Sequence, residues 1–289
     1  MHHIPIALLT LATALTASAA DKKVVFLAGP PSHHAGDHEH RAGCLLFQSC
    51  LGRIPGIISE VCSNGWPQNP DAAFAGAAAI VIYSDGGGGH PFVQGDRLKI
   101  LGELMKNGVG LACLHYAVEP TKEKGQQEFL DWIGGCFEQH WSVNPTWRPE
   151  FQPLPTHAIT RGVSPFRIND EWYFHMRFRD GMKGVVPILS AVAPASTMSR
   201  PDGPHSGNPA VREAVKRGEP QILAWASERP DGGRGFGITG GHFHYNWGNA
   251  DYRKLVLNAI LWTAKVEVPA AGVECPVTAE DLRQNLDRK

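Results

Sequence analysis

The chain has 289 residues, a formal net charge of -1 at pH 7 and 43% hydrophobic residues. This balance is typical of a globular protein with enough apolar side chains for a sizeable core. The nearly neutral charge, with no run of Lys or Arg, argues against nucleic acid and against an anionic membrane as partners. Fourteen residues are histidine, and they are clustered along the chain, so the search for a functional site starts with them.

The first twenty residues have the pattern of a secretory signal peptide. An apolar run from Ile4 to Leu15 is followed by the small residues Ala17, Ser18 and Ala19, as at a cleavage site. The run is too short to span a bilayer well. We therefore expect a mature protein that starts near Asp21 and is periplasmic or secreted. The six cysteines could form disulfides there, but their spacing leaves the pairing open.

The first half of the mature chain alternates short apolar runs with amphipathic segments. Strands are predicted over residues 23–29, 56–61, 77–83 and 109–114, and helices over residues 39–51 and 96–107. Strands and helices that alternate at this spacing form parallel βαβ units. The predicted fold class is therefore α/β, a flavodoxin-like, doubly wound parallel sheet.

The second half is less regular. Residues 129 to about 220 contain short runs, aromatics and prolines, which indicates a large insertion or cap rather than a separate domain. Residues 221–227 and 235–239 flank a Pro-Asp-Gly-Gly turn and predict a hairpin. A closing helix is predicted over residues 249–264. The predicted domain covers residues 21–268, and residues 269–289 form a tail that we expect to be loosely attached.

Several histidines follow directly after predicted strands. The carboxyl ends of parallel strands meet at one edge of a sheet, so these rings are expected to converge there. His242 and His244 would share one face if their segment were extended. Neutral imidazole binds zinc and other divalent transition metals, and a carboxylate commonly completes such a site. The predicted ligands of a divalent metal, with zinc as the candidate, are His33, His115, His242 and His244.

Glu171 is the preferred carboxylate for this site, with Asp85 and Glu39 as alternatives. His38 and His40 diverge on a helix, so at most one of them would enter the site unless their segment is a loop. Histidines in loops are often only exposed or satisfied polar residues, and no compact metal motif is present.

Residues beside these histidines are candidates for substrate binding. The glycine run 86–89 lacks the lysine of a phosphate-binding loop, so Gly88 is expected to let the backbone approach a ligand closely. Trp141 and Trp172 could stack on a sugar ring or pack within a cap. No G-x-S-x-G elbow follows any strand, which argues against a serine hydrolase. The predicted substrate-binding residues are Asp85, Gly88, His90, Trp141, Trp172 and Asn246.

Five motifs together resemble the ThuA-like family, named for trehalose utilisation, over about residues 23–268. They are Ser32-His33 with residues 38–44, the run 85–91, Leu114-His115-Tyr116-Ala117, Asp170-Glu171-Trp172-Tyr173 and the run 241–247. The resemblance implies a class I glutamine amidotransferase-like fold. True amidotransferases place a cysteine nucleophile where this chain has His115. His244 is similar to their triad histidine, while Asn246 replaces the acid, so glutamine amidotransfer is not expected.

The family's association with oxidised (3-keto) glycosides implies a reaction. A metal could polarise the ketone while a histidine or Glu171 removes the adjacent proton, which would give a hydrolase or lyase. The expected catalytic residues are His115, Glu171 and His244, and the expected partner is a small carbohydrate. Two alternatives stay open: a carbohydrate-binding module without turnover, or a structural protein that keeps only the fold. The oligomeric state is not predicted.

Overall fold

A computed structural model describes residues 21–289; the predicted signal peptide lies outside these residues. The strands are β1 (Lys22–Ala28), β2 (Ile57–Cys62), β3 (Ala77–Tyr83), β4 (Gly110–Leu114), β5 (Gly135–Cys136), β6 (Thr146–Trp147), β7 (Asp170–Glu171), β8 (Arg177–Phe178), β9 (Val185–Val192), β10 (Pro220–Glu228) and β11 (Arg234–Ile238). The α-helices are α1 (His40–Leu51), α2 (Pro70–Phe74), α3 (Arg97–Lys106), α4 (Gln126–Trp132), α5 (Pro209–Lys216) and α6 (Ala250–Thr263).

Seven strands form the central sheet, in the order β2-β1-β3-β4-β11-β10-β9. The first five in this order are mutually parallel, while β10 is antiparallel to both β11 and β9. The strands β1, β3, β4 and β11 therefore end at the same edge of the sheet. This edge carries the segments in which the sequence places most of the candidate histidines.

Helices cover both faces of the sheet, because the inner strands are apolar on both sides. In β1, Val24 and Phe26 pack with α1 and α6, whereas Val25 and Leu27 face a second core. That second core includes Leu101 of α3 and side chains of α4. The sheet is thus doubly wound, as the alternating sequence pattern predicts.

The insertion is built of short pieces. The strands β5 and β8 form one two-stranded ladder, and β6 and β7 form another. The later strand β9, which the sequence did not predict, joins the edge of the main sheet beside β10. The predicted hairpin of β10 and β11 is present, and the other predicted elements begin and end within a residue or two of the observed bounds.

The tail is attached more firmly than the sequence predicts. Cys275 forms a disulfide with Cys50 of α1, and Leu282 is buried in the core. The side chain of Lys289 pairs with the buried carboxylate of Glu39 at 3.3 Å. The disulfide and the ion pair link the tail to residues more than 200 positions away, which a local sequence pattern does not reveal. No helix among residues 21–289 has the length and apolar character needed to cross a membrane.

Candidate metal centre

The loop after β1 and the loop after β11 are joined by backbone hydrogen bonds. The amide of His38 donates to the carbonyl of His242, and the amide of His244 donates to the carbonyl of Gly36, both at 2.9 Å. This pairing brings the rings of His38 and His242 to a centroid distance of 4.7 Å. His38 therefore lies in the site while its segment is still a loop, one residue before the N-cap of α1.

His115 is the first residue after β4 and is fully buried. Its φ of 57° is in the left-handed region, which turns its side chain sharply at the end of the strand. Gly241 approaches it closely: a Cβ on Gly241 would lie 3.2 Å from the Cβ of His115, and the φ of Gly241 is 125°. A glycine at this position therefore lets the loop after β11 pack directly against the end of β4.

Three imidazoles and one carboxylate converge at this point. Nε2 of His38 lies 3.1 Å from Nε2 of His115 and 3.0 Å from Nδ1 of His242. Oε2 of Glu171 lies 3.2 Å from Nδ1 of His242 and 3.6 Å from Nε2 of His115. All four atoms lie within 4.8 Å of one another. Ligand atoms about 2.0–2.1 Å from a tetrahedral zinc ion lie roughly 3.3 Å apart, close to the distances measured here between neighbouring atoms.

Each imidazole has an oxygen partner on its outer nitrogen. Nδ1 of His115 donates to the carbonyl of Thr239 at 2.7 Å, and Nδ1 of His38 donates to Oδ1 of Asp85 at 2.6 Å. Nε2 of His242 lies 3.5 Å from a carboxylate oxygen of Asp37. Such outer partners fix the ring orientation and leave the lone pair of the inner nitrogen directed at the centre. The tautomers are assigned here from the acceptors, since a carbonyl or an ionised carboxylate accepts only.

The centre has an electrostatic feature that favours a cation. Burial lowers the pKa of His38 from 6.5 to about 3, and burial also holds the pKa of His115 well below 6.5. Both rings are therefore neutral at pH 7, and their inner nitrogens face each other as two acceptors at 3.1 Å. Burial alone would lower the pKa of His242 too, but the carboxylate of Glu171 raises it above 6.5. A proton on His242 can be shared with only some of the acceptor atoms that face the centre, while a metal ion can interact with all of them.

Glu171 reaches the centre from the insertion. Its neighbour Asp170 is fully buried and accepts hydrogen bonds from the amides of Gly241 and His242, both at 3.0 Å. These bonds connect β7 to the loop after β11. Burial would raise the pKa of Glu171, but the hydrogen bond from His242 and the nearby imidazoles hold it below its usual value, so the carboxylate is ionised.

Two further polar residues at the centre were not predicted from the sequence. The hydroxyl of Tyr173 lies 3.1 Å from Nε2 of His115 and 3.3 Å from Oε2 of Glu171. The side-chain amide of Asn144 donates to Oε1 of Glu171 at 3.1 Å. The signal for Tyr173 was available, because residues two apart in an extended segment point the same way. Asn144 lies in an irregular stretch that offers no comparable pattern.

The structure does not bring every predicted ligand into this group. His115 and His242 are in it, whereas His244 is not among the clustered ligands of residues 21–289. The reason is that β11 ends at Ile238 and a 3₁₀ turn begins at His244, so the alternation expected of an extended segment is lost. His33 stacks on His38 with ring centroids 3.6 Å apart and forms a second group with His38 and Asp85.

Three of the predicted substrate-binding residues follow β3. Asp85 supports His38, as described above. Gly88 faces open space, with no atom within 4 Å of a Cβ built on it. His90 is fully buried; its Nε2 donates to the carbonyl of Ala117, and its Nδ1 accepts from the amide of Phe92. Because both nitrogens of His90 are used inside the fold, its position is that of a structural residue.

The other three predicted substrate-binding residues lie in or beside the insertion. Trp141 is half-buried, with the guanidinium of Arg177 3.6 Å above its ring. Trp172 is fully buried in the core, so it offers no surface to a sugar. Asn246 donates to Oδ2 of Asp170 at 2.9 Å. Both side chains thus help to hold the insertion against the sheet, while the partly exposed Asn246 stays a predicted substrate-binding residue.

Two ThuA-like proteins of known structure have the same fold as this chain. A ThuA-like protein from Bacteroides uniformis matches with a TM-score of 0.60 and 14% identity, over 87% of this chain and 95% of that chain. A ThuA-like protein from Parabacteroides merdae matches with a TM-score of 0.52 and 14% identity, over 84% of this chain and 90% of that chain. A glutamine amidotransferase from Thermotoga maritima matches with a TM-score of 0.44 and 9% identity, over 86% of this chain and 97% of that chain. No curated protein sequence matches the chain.

The family comparison agrees with the resemblance of the motifs. The family model ThuA, described as trehalose utilisation, matches residues 67–263, well over half of the chain. The matched range contains His115, Glu171 and His242 but begins after His38. With its mostly parallel sheet and this match, the chain belongs to the ThuA family.

Proposed function

We propose that this protein is a divalent-metal-dependent enzyme that acts on oxidised (3-keto) carbohydrates by elimination or hydrolysis. The observation that carries the proposal is the convergence of His38, His115 and His242 with Glu171 at the edge of the sheet. Three histidines with one position left for water or substrate is the common arrangement of a catalytic zinc site. Zinc is therefore the cation that we propose.

The three imidazoles would hold the cation, each aligned by its outer oxygen partner. When bound, a divalent cation supplies a Lewis acid that polarises a carbonyl oxygen. One side of the centre is dry, since His38 and His115 are 1% and 0% exposed. A dry site strengthens the attraction between a cation and a developing negative charge.

Glu171 is the residue that we propose as proton acceptor. Its carboxylate is ionised and lies 3.2 Å from His242 and 3.6 Å from His115, with its side chain 18% exposed. Asn144 holds Oε1, and the hydroxyl of Tyr173 lies beside Oε2. A carboxylate fixed at both oxygens can take a proton from the carbon next to a ketone without a large movement.

Carbohydrate is proposed as the substrate because of the family, whose model is described as trehalose utilisation. Glutamine amidotransfer is not part of the proposal, because an imidazole at position 115 cannot form the thioester of those enzymes. Export to the periplasm or beyond stays a prediction from residues 1–20.

The first experiment tests the metal centre. We expect the purified protein to bind one zinc ion, and His38→Gln, His115→Gln and His242→Gln each to weaken binding by about 100-fold or more. His244→Gln is the matched control, since it changes a buried histidine of the same segment outside the cluster. Circular dichroism of each variant checks the fold. A wild-type protein that binds no divalent cation would refute the metal centre.

The second experiment tests turnover with a 3-keto glucoside. Glu171→Gln should keep the zinc through the three imidazoles but lower kcat by about 10²–10⁴-fold, the usual contribution of a general base. Loss of zinc in this variant would make Glu171 a ligand instead of the base. A zinc-loaded wild-type protein that binds the sugar without converting it would support a binding module and overturn the enzyme.

A further inference from the structure

Another fully buried carboxylate lies near the metal centre and takes no part in it. Glu119 is 0% exposed. Its two oxygens lie 3.0 and 3.1 Å from Nε2 of His205, and Oε1 also accepts from the side-chain amide of Gln139 at 2.9 Å. Burying a carboxylate costs free energy unless it is well bonded, so this pair requires explanation.

The imidazole of His205 is held in one orientation. Nε2 donates to Glu119, and the ring stacks on Phe137 with centroids 5.2 Å apart and 24° between the planes. Within residues 21–289, every hydrogen bond of the ring is made by Nε2, and the side chain is 30% exposed. Nδ1 is thus the nitrogen available to another molecule. A carboxylate bonded to one ring nitrogen fixes the ring and orients the other nitrogen for proton transfer.

The pair is connected to the metal centre through Asn144. The side-chain amide of Asn144 donates to Glu171, while its backbone amide donates to the carbonyl of His205 at 3.0 Å. Arg200 donates both to Oδ1 of Asn144 at 2.7 Å and to the carbonyl of His205 at 3.1 Å. The segment that carries His205 is thereby fixed relative to the proposed proton acceptor.

A second connection runs along the glycine loop after β3. A Cβ built on Gly87 would lie 3.6 Å from the hydroxyl of Tyr116 and 3.7 Å from Oε1 of Glu119. Tyr116 follows His115 in the chain, and its ring lies 6.1 Å from that of His38. Tyr116 and the glycine loop therefore lie between the metal centre and the Glu119–His205 pair.

Anchoring of the loop does not explain the imidazole. The segment around His205 is already attached by backbone hydrogen bonds, from Asn144 to the carbonyl of His205 and from the amide of His140 to the carbonyl of Pro204. Neither bond needs the ring of His205 or the charge of Glu119. An imidazole bonded to a buried carboxylate through one nitrogen, with its side chain 30% exposed, fits proton transfer better than anchoring.

We infer that His205, positioned by Glu119, is the acid that protonates the departing oxygen of a glycoside bound at the metal centre. This rests on the proposed function. Glu171 takes the proton from the carbon beside the ketone, and the electron pair of that C–H bond forms a double bond. The bond from the anomeric carbon to the leaving oxygen breaks, and that oxygen takes a proton from His205. The products are an unsaturated ketone and an alcohol, and solvent returns the proton from Glu171 to His205.

Leaving-group dependence tests this inference. An acid is needed for a poor leaving group and hardly at all for a good one. We therefore expect His205→Gln to lower kcat/KM by roughly 100-fold or more for methyl 3-keto-glucoside, but only by about threefold for its 4-nitrophenyl analogue. Zinc content should be unchanged. Glu119→Gln should show the same selectivity with a smaller loss, since it removes the charge behind the ring. His140→Gln, an exposed histidine of the same insertion, is the control.

The outcomes separate this inference from the proposed function. Equal losses on the two glucosides, or none, in a zinc-loaded His205→Gln protein would overturn the role of His205 and leave the enzyme intact. A wild-type protein that converts neither glucoside would refute the proposed function and this inference with it. If His205→Gln fails to fold, the Glu119→Gln protein decides by its ratio of activities on the two glucosides.

Discussion

Replacing Asp85 by Asn should weaken zinc binding by about 10–100-fold without unfolding the protein. Oδ1 of Asp85 accepts from Nδ1 of His38 at 2.6 Å. Burial would raise the pKa of Asp85, but the hydrogen bond from His38 and nearby imidazoles hold it well below its usual value. The carboxylate is thus ionised, and it increases the electron density that His38 can donate to a cation.

The size of the effect follows from what the substitution leaves in place. An asparagine can still accept the hydrogen bond from His38, so the ring stays oriented and only the charge is lost. A 10–100-fold change corresponds to about 1.4–2.7 kcal/mol of binding free energy. If Asp85 instead contacts the substrate, as the sequence predicts, the variant would change KM and leave the zinc affinity alone.

The assay is a competitive zinc titration against a chromophoric chelator at pH 7. Asp71→Asn is the control, because Asp71 is exposed in the first turn of α2 and is not among the clustered ligands. An affinity of Asp85→Asn within about twofold of the wild type would refute the argument that the outer carboxylate strengthens the centre.

Two further predictions concern stability. Burial lowers the pKa of His90 from 6.5 to about 4. As the pH decreases, the unfolded chain therefore binds a proton at His90 before the folded protein does. The free energy of unfolding should fall by about 3 kcal/mol between pH 6.5 and pH 4 for this reason. The free energy of unfolding of His90→Gln, measured with urea, should lack this part of the pH dependence. The same dependence on pH in the variant and the wild type would contradict the prediction. Lys289→Met leaves the buried carboxylate of Glu39 without its cation and should lower the free energy of unfolding by about 3 kcal/mol, whereas Arg288→Met should not. An unchanged urea midpoint for Lys289→Met would show that this ion pair is not stabilising.

Much of the frame of the site was predictable, because it depends on local patterns. The apolar runs of β1, β3 and β4 and the hairpin that ends in β11 are each recognisable on their own. Once these strands are parallel, their carboxyl ends meet, and His115 and His242 come together. Glu171 was also predicted as a residue of the site, because it is a carboxylate in an otherwise aromatic segment. The strand β9 and the attachment of the tail depend on partners far along the chain.

Whether His38 or His244 joins the metal centre depends on the φ angles of single residues. An extended segment after β11 would have placed His244 beside His242, but the chain turns at Gly241, where φ is 125°. His38 enters the site because its φ of 46° keeps it off the helix that begins two residues later. Neither angle is encoded by periodicity, since both result from the packing of one loop against another.

Two of the three histidines at the centre, and His33 beside them, occupy backbone conformations that most residues avoid. His33, His38 and His115 have φ values of 59°, 46° and 57°. Each such conformation costs on the order of 1–3 kcal/mol and persists only where surrounding contacts enforce it. For His38 and His115 those contacts are the bond to the carbonyl of His242 and the bond to the carbonyl of Thr239. The fold thus gives up stability to direct two lone pairs at one point, an expense that makes physical sense when a cation binds between them.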